Sequence, residues 1–139
     1  MAGFKLFNST YQLLELSTRV RAARHEILGA NIANADTPGF RPKDLDFQSV
    51  MKSAVEINQS MPDGSRADLA SQPLDFQAAT FEPEYPDNRH GEDRLDGNGV
   101  SVDRQMALMS ENALGYEASL TLLSRMLANL RYVISDGRR

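Results

Sequence analysis

The chain has 139 residues, a formal charge of −4 and no cysteine, enough length for one domain with a modest core. Without cysteine, disulfides, thiolate zinc sites and cysteine nucleophiles are excluded. The acidic balance argues against nucleic-acid binding, which shows itself as a basic face.

Charge is unevenly spread. Residues 1–35 hold four basic and two acidic side chains, 36–101 hold six and thirteen, and 102–139 hold five and four. The middle is therefore the acidic part. All six prolines lie between Pro38 and Pro86. Proline removes a donor and clashes with the preceding helical turn, so the flanks are free to form long helices and the middle is not. Glu15, Arg19 and Arg21 interrupt the early leucines. The start thus lacks a signal-peptide core, and no stretch approaches the ~18 apolar residues of a membrane span. A soluble chain without an ordinary secretion address is expected.

The N-terminal flank steps through Leu6, Ser9, Leu13, Leu16, Val20, Ala23, Ile27 and Ala30. This alternation of three and four predicts a helix with an apolar seam. Glu15 and Arg19 are a supporting i,i+4 pair. The seam shrinks at Ala23 and Ala30, where a partner helix can come close; Gly29 serves the same end or merely weakens the helix.

That helix is predicted to run out near Asn34 or Ala35 in "ANIANADTPGF" (30–40). Thr37 precedes proline and is pushed to extended geometry. Pro38 and Gly39 suit the centre of a type II turn, with φ fixed at the first position and positive at the second, and Phe40 is expected to fold back on the helix end. Asn31 and Asn34 share one face, each with two donors and an acceptor oxygen. They either tie the turn to the last helical turn or bond across to a neighbouring chain.

A short helix is expected near Asp46–Val55, with Phe47, Val50 and Met51 on one side. Leu74, Phe76, Phe81 and Tyr85 suit a short strand or packing on the helices. "MPDGSRADLASQP" reads as turn and loop, part of a middle that includes disorder in the free protein.

The C-terminal flank carries the stronger seam: Val102, Met106, Met109, Ala113, Tyr116, Leu120, Leu123, Leu127, Leu130 and Ile134, all apolar. Such an unbroken heptad run predicts a coiled-coil helix. Ser101 suits its N-cap, Asp103 the positive helix end, and Gly137 its stop. Further apolar residues off the seam (Leu14, Leu28, Ile32, Leu108, Leu114, Leu122, Met126 and Val133) point to a second buried face and several neighbours.

Sites of chemistry are sparse. Asp93, Asp96 and Asn98 invite a calcium loop, but an EF-hand counted from Asp96 needs an acidic residue where Ala107 stands. His25 and His90 are too far apart in sequence, and too short of partners, to suggest a metal or catalytic role. "DGNG" lacks the lysine of a phosphate loop. Arg19, Arg21 and Arg24 form either a contact stripe for an acidic neighbour or a solvated face. The Met106/Met109 pair reads as core. No catalytic constellation, metal site or cofactor site is expected.

"ANIANADTPGF" resembles the N-terminal signature of the bacterial flagellar axial protein family. In that family a long helix ends in an Asn-x-x-Asn-x-x-Thr-Pro-Gly-aromatic element, matched here by Asn31, Asn34, Thr37, Pro38, Gly39 and Phe40. "LDGNGVSVD" (95–103) resembles the approach to the C-terminal helix of the small rod proteins in that family, through Asp96, Gly97, Asn98, Val100 and Asp103. "NADTPGF" followed by "DLDF" is most similar to the proximal-rod type. The chain has no room for the extra β-rich domain of distal-rod and hook proteins.

The resemblance implies a structural subunit of the flagellar proximal rod. Such a subunit leaves the cytoplasm through the flagellar export channel without a cleaved signal peptide. It then self-assembles in the periplasm through terminal coiled-coil helices into a hollow drive shaft. That shaft joins the export gate and membrane ring to the distal rod and transmits torque. Implied partners are copies of the chain, other rod proteins, a rod-base adaptor and the export gate. The assembly seam is expected to use Leu13, Leu16, Val20, Ala23, Ile27 and Ala30 with Met106, Met109, Ala113, Tyr116, Leu120, Leu123, Leu127, Leu130 and Ile134. The expected fold is all-α: two long terminal helices paired as an antiparallel coiled-coil hairpin, with an irregular, partly extended middle. Three zones follow: 1–36 an N-terminal axial helix, 37–99 a turn, short helix and irregular acidic segment, and 100–139 a C-terminal axial helix. A soluble coiled-coil adaptor or export chaperone that binds a partner helix without polymerising is the alternative.

Overall fold

Two long helices lie side by side, with the middle of the chain packed against the first of them. The computed structural model describes residues 2–60, 76, 78–83 and 99–136. Helix α1 spans Ala2–Ala33 and helix α3 spans Val102–Asp136. Their 32 and 35 residues make rods of about 48 and 52 Å at 1.5 Å per residue. They run antiparallel: Ser17 meets Ser119 and Asn31 meets Gln105. The paired residues are therefore two heptads apart on both helices. This is the expected all-α hairpin.

Between them come β1 (Asp44–Leu45), α2 (Phe47–Ser60) and β2 (Thr80–Phe81). β1 and β2 pair antiparallel, Asp44 opposite Phe81 and Leu45 opposite Thr80, and the Asp46 amide adds a bond to the Ala79 carbonyl at 3.0 Å. Asp46 also starts α2. Its Oδ1 accepts from the Ser49 amide at 3.0 Å, and its carbonyl accepts from Val50. That is the N-cap arrangement, in which an aspartate satisfies donors that the first helical turn leaves without partners. The apolar residues of α2 then recur at Phe47, Val50, Met51 and Ala54, one face of a helix. Helix α2 runs five residues past the expected Val55, because the chain offers no breaker before Pro62.

The apolar core sits between α1 and this middle. Leu16, Val20, Leu45, Val50 and Ala54 are buried together, with Leu13, Ala23, Ile27, Phe47, Met51, Phe76 and Ala79 packed on them. Among the described residues, no α3 side chain belongs to this cluster. The expectation that the α1 seam faces the α3 seam is therefore corrected. Leu13, Leu16, Val20, Ala23 and Ile27 face β1 and α2, and Ala30 is exposed. The middle segment covers this stripe, while Leu28 of α1 is fully buried outside that cluster.

Helix α3 meets α1 with a different face. Its buried residues are Gln105, Asn112 and Ser119, seven apart and all polar. Of the expected seam, Met106, Ala113 and Leu120 lie one residue round from them, a rotation of about 100°, whereas Met109, Tyr116 and Leu123 lie four residues on, only about 40° round. Met109, Ala113, Tyr116, Leu123 and Leu130 are consequently half-buried, whereas Val102, Met106, Leu120, Leu127 and Ile134 are exposed. The side chains of Leu6 and Ser9 lie outside the described set, as do Leu74, Tyr85, His90, Asp93, Asp96, Gly97, Asn98 and Gly137.

Candidate functional site

Two features stand out: a knot of amides where α1 ends, and the outward surface of α3.

The knot begins with the chain's hard stop. Asn34 closes α1 by itself: its amide nitrogen Nδ2 donates to the Ala30 carbonyl at 2.8 Å, and its Oδ1 accepts from the Thr37 hydroxyl at 3.3 Å. The Thr37 amide donates to the Asn34 carbonyl. Thr37 to Phe40 then form the expected turn, with the Phe40 amide donating to the Thr37 carbonyl at 3.2 Å and Gly39 at φ 72°. A positive φ at the third turn position is the mark of type II.

Asn31 is 1% exposed and holds the returning chain. Its Nδ2 donates to the Lys43 carbonyl at 2.6 Å, and its Oδ1 accepts from the Lys43 amide at 3.0 Å. One side-chain amide thus treats residue 43 as a strand neighbour would. The same Nδ2 donates to Gln105 Oε1 at 2.9 Å, so one residue ties α1, the segment before β1, and α3. Of the two openings left by the spacing, the within-chain one is occupied. The second motif comes to the same place: Val100 is buried, and a Cβ on Gly99 would touch Pro42 Cδ at 3.5 Å and the Phe40 carbonyl at 3.9 Å.

Two arginines of α1, Arg21 and Arg24, pack within the chain. Arg24 grips Asp44 with two parallel bonds of 2.7 Å, from Nε to Oδ1 and from Nη2 to Oδ2. This fork geometry is what guanidinium and carboxylate planes favour. The Arg21 guanidinium lies 4.2 Å from the centre of the Phe47 ring, a cation–π distance. It also passes so close over Gly115 that a Cβ there would overlap Nη1 and Cζ. The sequence left open either a stripe for an acidic neighbour or a solvated face; Arg24 finds its acid inside the chain. Gln105, Asn112, Ser119, Lys43, Asp44 and Gly115 were not legible as site residues, although a polar residue recurring every seven positions inside an apolar helix was the available signal.

The outward surface of α3 carries many exposed apolar side chains. Met106, Leu114, Leu122, Tyr132, Val133 and Ile134 are each more than half exposed, and Leu120 and Leu127 are 38% and 42% exposed. A groove of about 330 Å³ runs between the helices beside Arg21, His25, Asn112 and Tyr116. Among the described residues no three metal-ligating side chains cluster, and no helix is long and apolar enough to cross a membrane.

Comparison with known proteins agrees with the motif. The family model described as "Flagella basal body rod protein" matches residues 21–41, a span that holds Arg24, Asn31 and the turn. The chain is 35% identical over 127 residues to the flagellar basal body rod protein FlgB of Yersinia enterocolitica, covering 85% of this chain and 88% of that one. It is 34% identical over 124 residues to FlgB of Escherichia coli K12, and 36% over 124 residues to FlgB of Salmonella typhimurium. In both of these, 85% of this chain and 87% of the relative are covered. A match of this identity over 85% of the chain, together with a family model that falls on the motif whose atoms form one connected knot, places the chain in the FlgB family of flagellar basal body rod proteins.

Proposed function

We propose that the chain is a structural, non-catalytic subunit of the flagellar proximal rod. It adds to copies of itself and to other rod proteins through its long helices, forming part of the hollow shaft that joins the export gate and membrane ring to the distal rod and transmits torque. A rod-base adaptor and the export gate are its proximal neighbours, and it reaches the periplasm through the flagellar export channel without a cleaved signal peptide. The zones 1–36, 37–99 and 100–139 act as first axial helix, packing segment and second axial helix.

One observation carries the reading: the long exposed apolar surface of α3 from Met106 to Ile134. A monomer gains nothing by exposing leucines of a 35-residue helix, and large exposed apolar patches mark interaction surfaces. The stripe Met106, Leu120, Leu127 and Ile134 keeps a heptad step, so it suits another helix. The knot serves assembly indirectly, by fixing the direction in which the middle of the chain leaves α1.

The test is a Leu120→Asp/Leu127→Asp replacement in a flagellated cell. Swimming and rods in isolated basal bodies should be lost, while the purified variant keeps its helical circular dichroism and melting temperature. Normal swimming would overturn the reading. Small stoichiometric complexes in sedimentation, with no addition to a tubular structure, would instead favour the coiled-coil adaptor or chaperone.

A further inference from the structure

We infer that Arg21 is a mechanical relay between α2 and α3. Its guanidinium sits between Gly115 of α3 and the Phe47 ring of α2, so that a shift of α3 on α1 is passed to α2.

The two outer helices have no direct hold on each other. Among the described residues both α2 and α3 pack on α1, and neither packs on the other. Arg21 of α1 bridges the gap. Its Cζ lies 4.2 Å from the centre of the Phe47 ring, within cation–π reach. The same guanidinium lies against the α3 backbone at Gly115, where an added Cβ would overlap Nη1 and Cζ and come within 2.9 Å of Nη2. The Arg21 backbone is engaged as well, its carbonyl accepting from Asn112 Nδ2 at 2.8 Å. Both ends of one residue thus meet α3. Arg21 Nε is buried without a hydrogen-bond partner, which leaves shape a large part in placing the head.

The glycine marks the seat. Inside a helix glycine is less favourable than alanine, because it gives up more backbone freedom on folding. Gly29 and Gly115 both stand inside long helices. A Cβ on Gly29 would meet nothing within 4 Å, whereas one on Gly115 would meet the Arg21 head. Of the two, Gly115 has a spatial reason to lack a side chain, and that reason is Arg21.

The other end of the relay is well placed to matter. Phe47 is the first residue of α2 and packs on the buried apolar cluster. A partner that shifts α3 on α1 moves the seat and, through Arg21, changes the hold on the start of α2. Such a link is a coupling free energy between two surfaces that do not touch. It is internal to the chain and holds whatever the chain assembles with.

Amide hydrogen exchange of the full-length chain, read over residues 47–57, tests the relay in a cycle of variants. Gly115→Ala, a change on α3, should speed exchange of 47–57 by about fivefold, the worth of one lost cation–π contact. Arg21→Ala should do the same. The double replacement should do no more than Arg21→Ala alone, because both changes remove one link. Gly29→Ala adds a methyl group to empty space and should not speed exchange there; it separates displacement of Arg21 from the general effect of alanine on a helix. Should Arg21→Ala fail to fold, Arg21→Met keeps an apolar stem without the charge and takes its place in the cycle. Unchanged exchange of 47–57 in Gly115→Ala, or a double replacement in which the two effects multiply, would overturn the inference.

Discussion

Asn31 makes more connections than any other single side chain in the motif. It replaces a missing strand neighbour for Lys43 and reaches across to Gln105. Truncation to alanine would leave the Lys43 amide and the Gln105 side chain without their partner in a nearly dry site. Asn31→Ala should therefore cost about 2–3 kcal/mol, read as a lower urea midpoint with an unchanged slope. Gly39 is a contrasting case. A Cβ there would touch nothing within 4 Å, so the sole objection to a side chain is the φ of 72°. Asparagine tolerates that region and a β-branched residue does not. Gly39→Val should lower the melting temperature more than Gly39→Asn; equal losses would mean that the backbone angle is not what the glycine provides.

At the scale of elements, the Arg24–Asp44 pair joins α1 to β1 with side chains 17% and 9% exposed. Breaking a pair this dry strands a charge, which costs more than the intact pair contributes. Arg24→Ala should destabilise the chain by about 3 kcal/mol. The double replacement Arg24→Met/Asp44→Leu should recover most of that, because no charge is left buried; a double-mutant cycle in urea measures both. The exposed Arg41–Glu82 contact, at 3.4 Å, is by comparison worth little. Element existence was well signalled by periodicity: α1, α2 and α3 all follow from apolar spacing and from the absence of proline in the flanks. Their mutual facing was not. Leu16 and Val20 mark an apolar stripe equally well whether α2 or α3 covers it, and only three-dimensional packing selects α2.

For the whole molecule, the division of apolar surface separates folding from assembly. Leu16 is fully buried in the core, so Leu16→Asp should unfold the monomer, visible as lost helicity in dilute solution. Leu127, 42% exposed on α3, belongs to the outer face. Leu127→Asp should leave the monomer's melting temperature within about 1 °C, since surface changes away from special features move stability little, and should still impair rod formation. A Leu127→Asp monomer that melts far lower would show that this side chain serves the hairpin after all.

Sequence alone determined the helical flanks, the proline-marked break, the type II turn at Pro38–Gly39 and the family. Each of these is a local property: period, φ preference, or a short string of residue types. The tertiary structure decided what each stripe faces, that Arg24 answers Asp44, and that the residues α3 buries fully are Gln105, Asn112 and Ser119 rather than leucines. Those outcomes depend on which of several adequate surfaces pack together. A helix with apolar residues on more than one side leaves that choice to the competition among its neighbours.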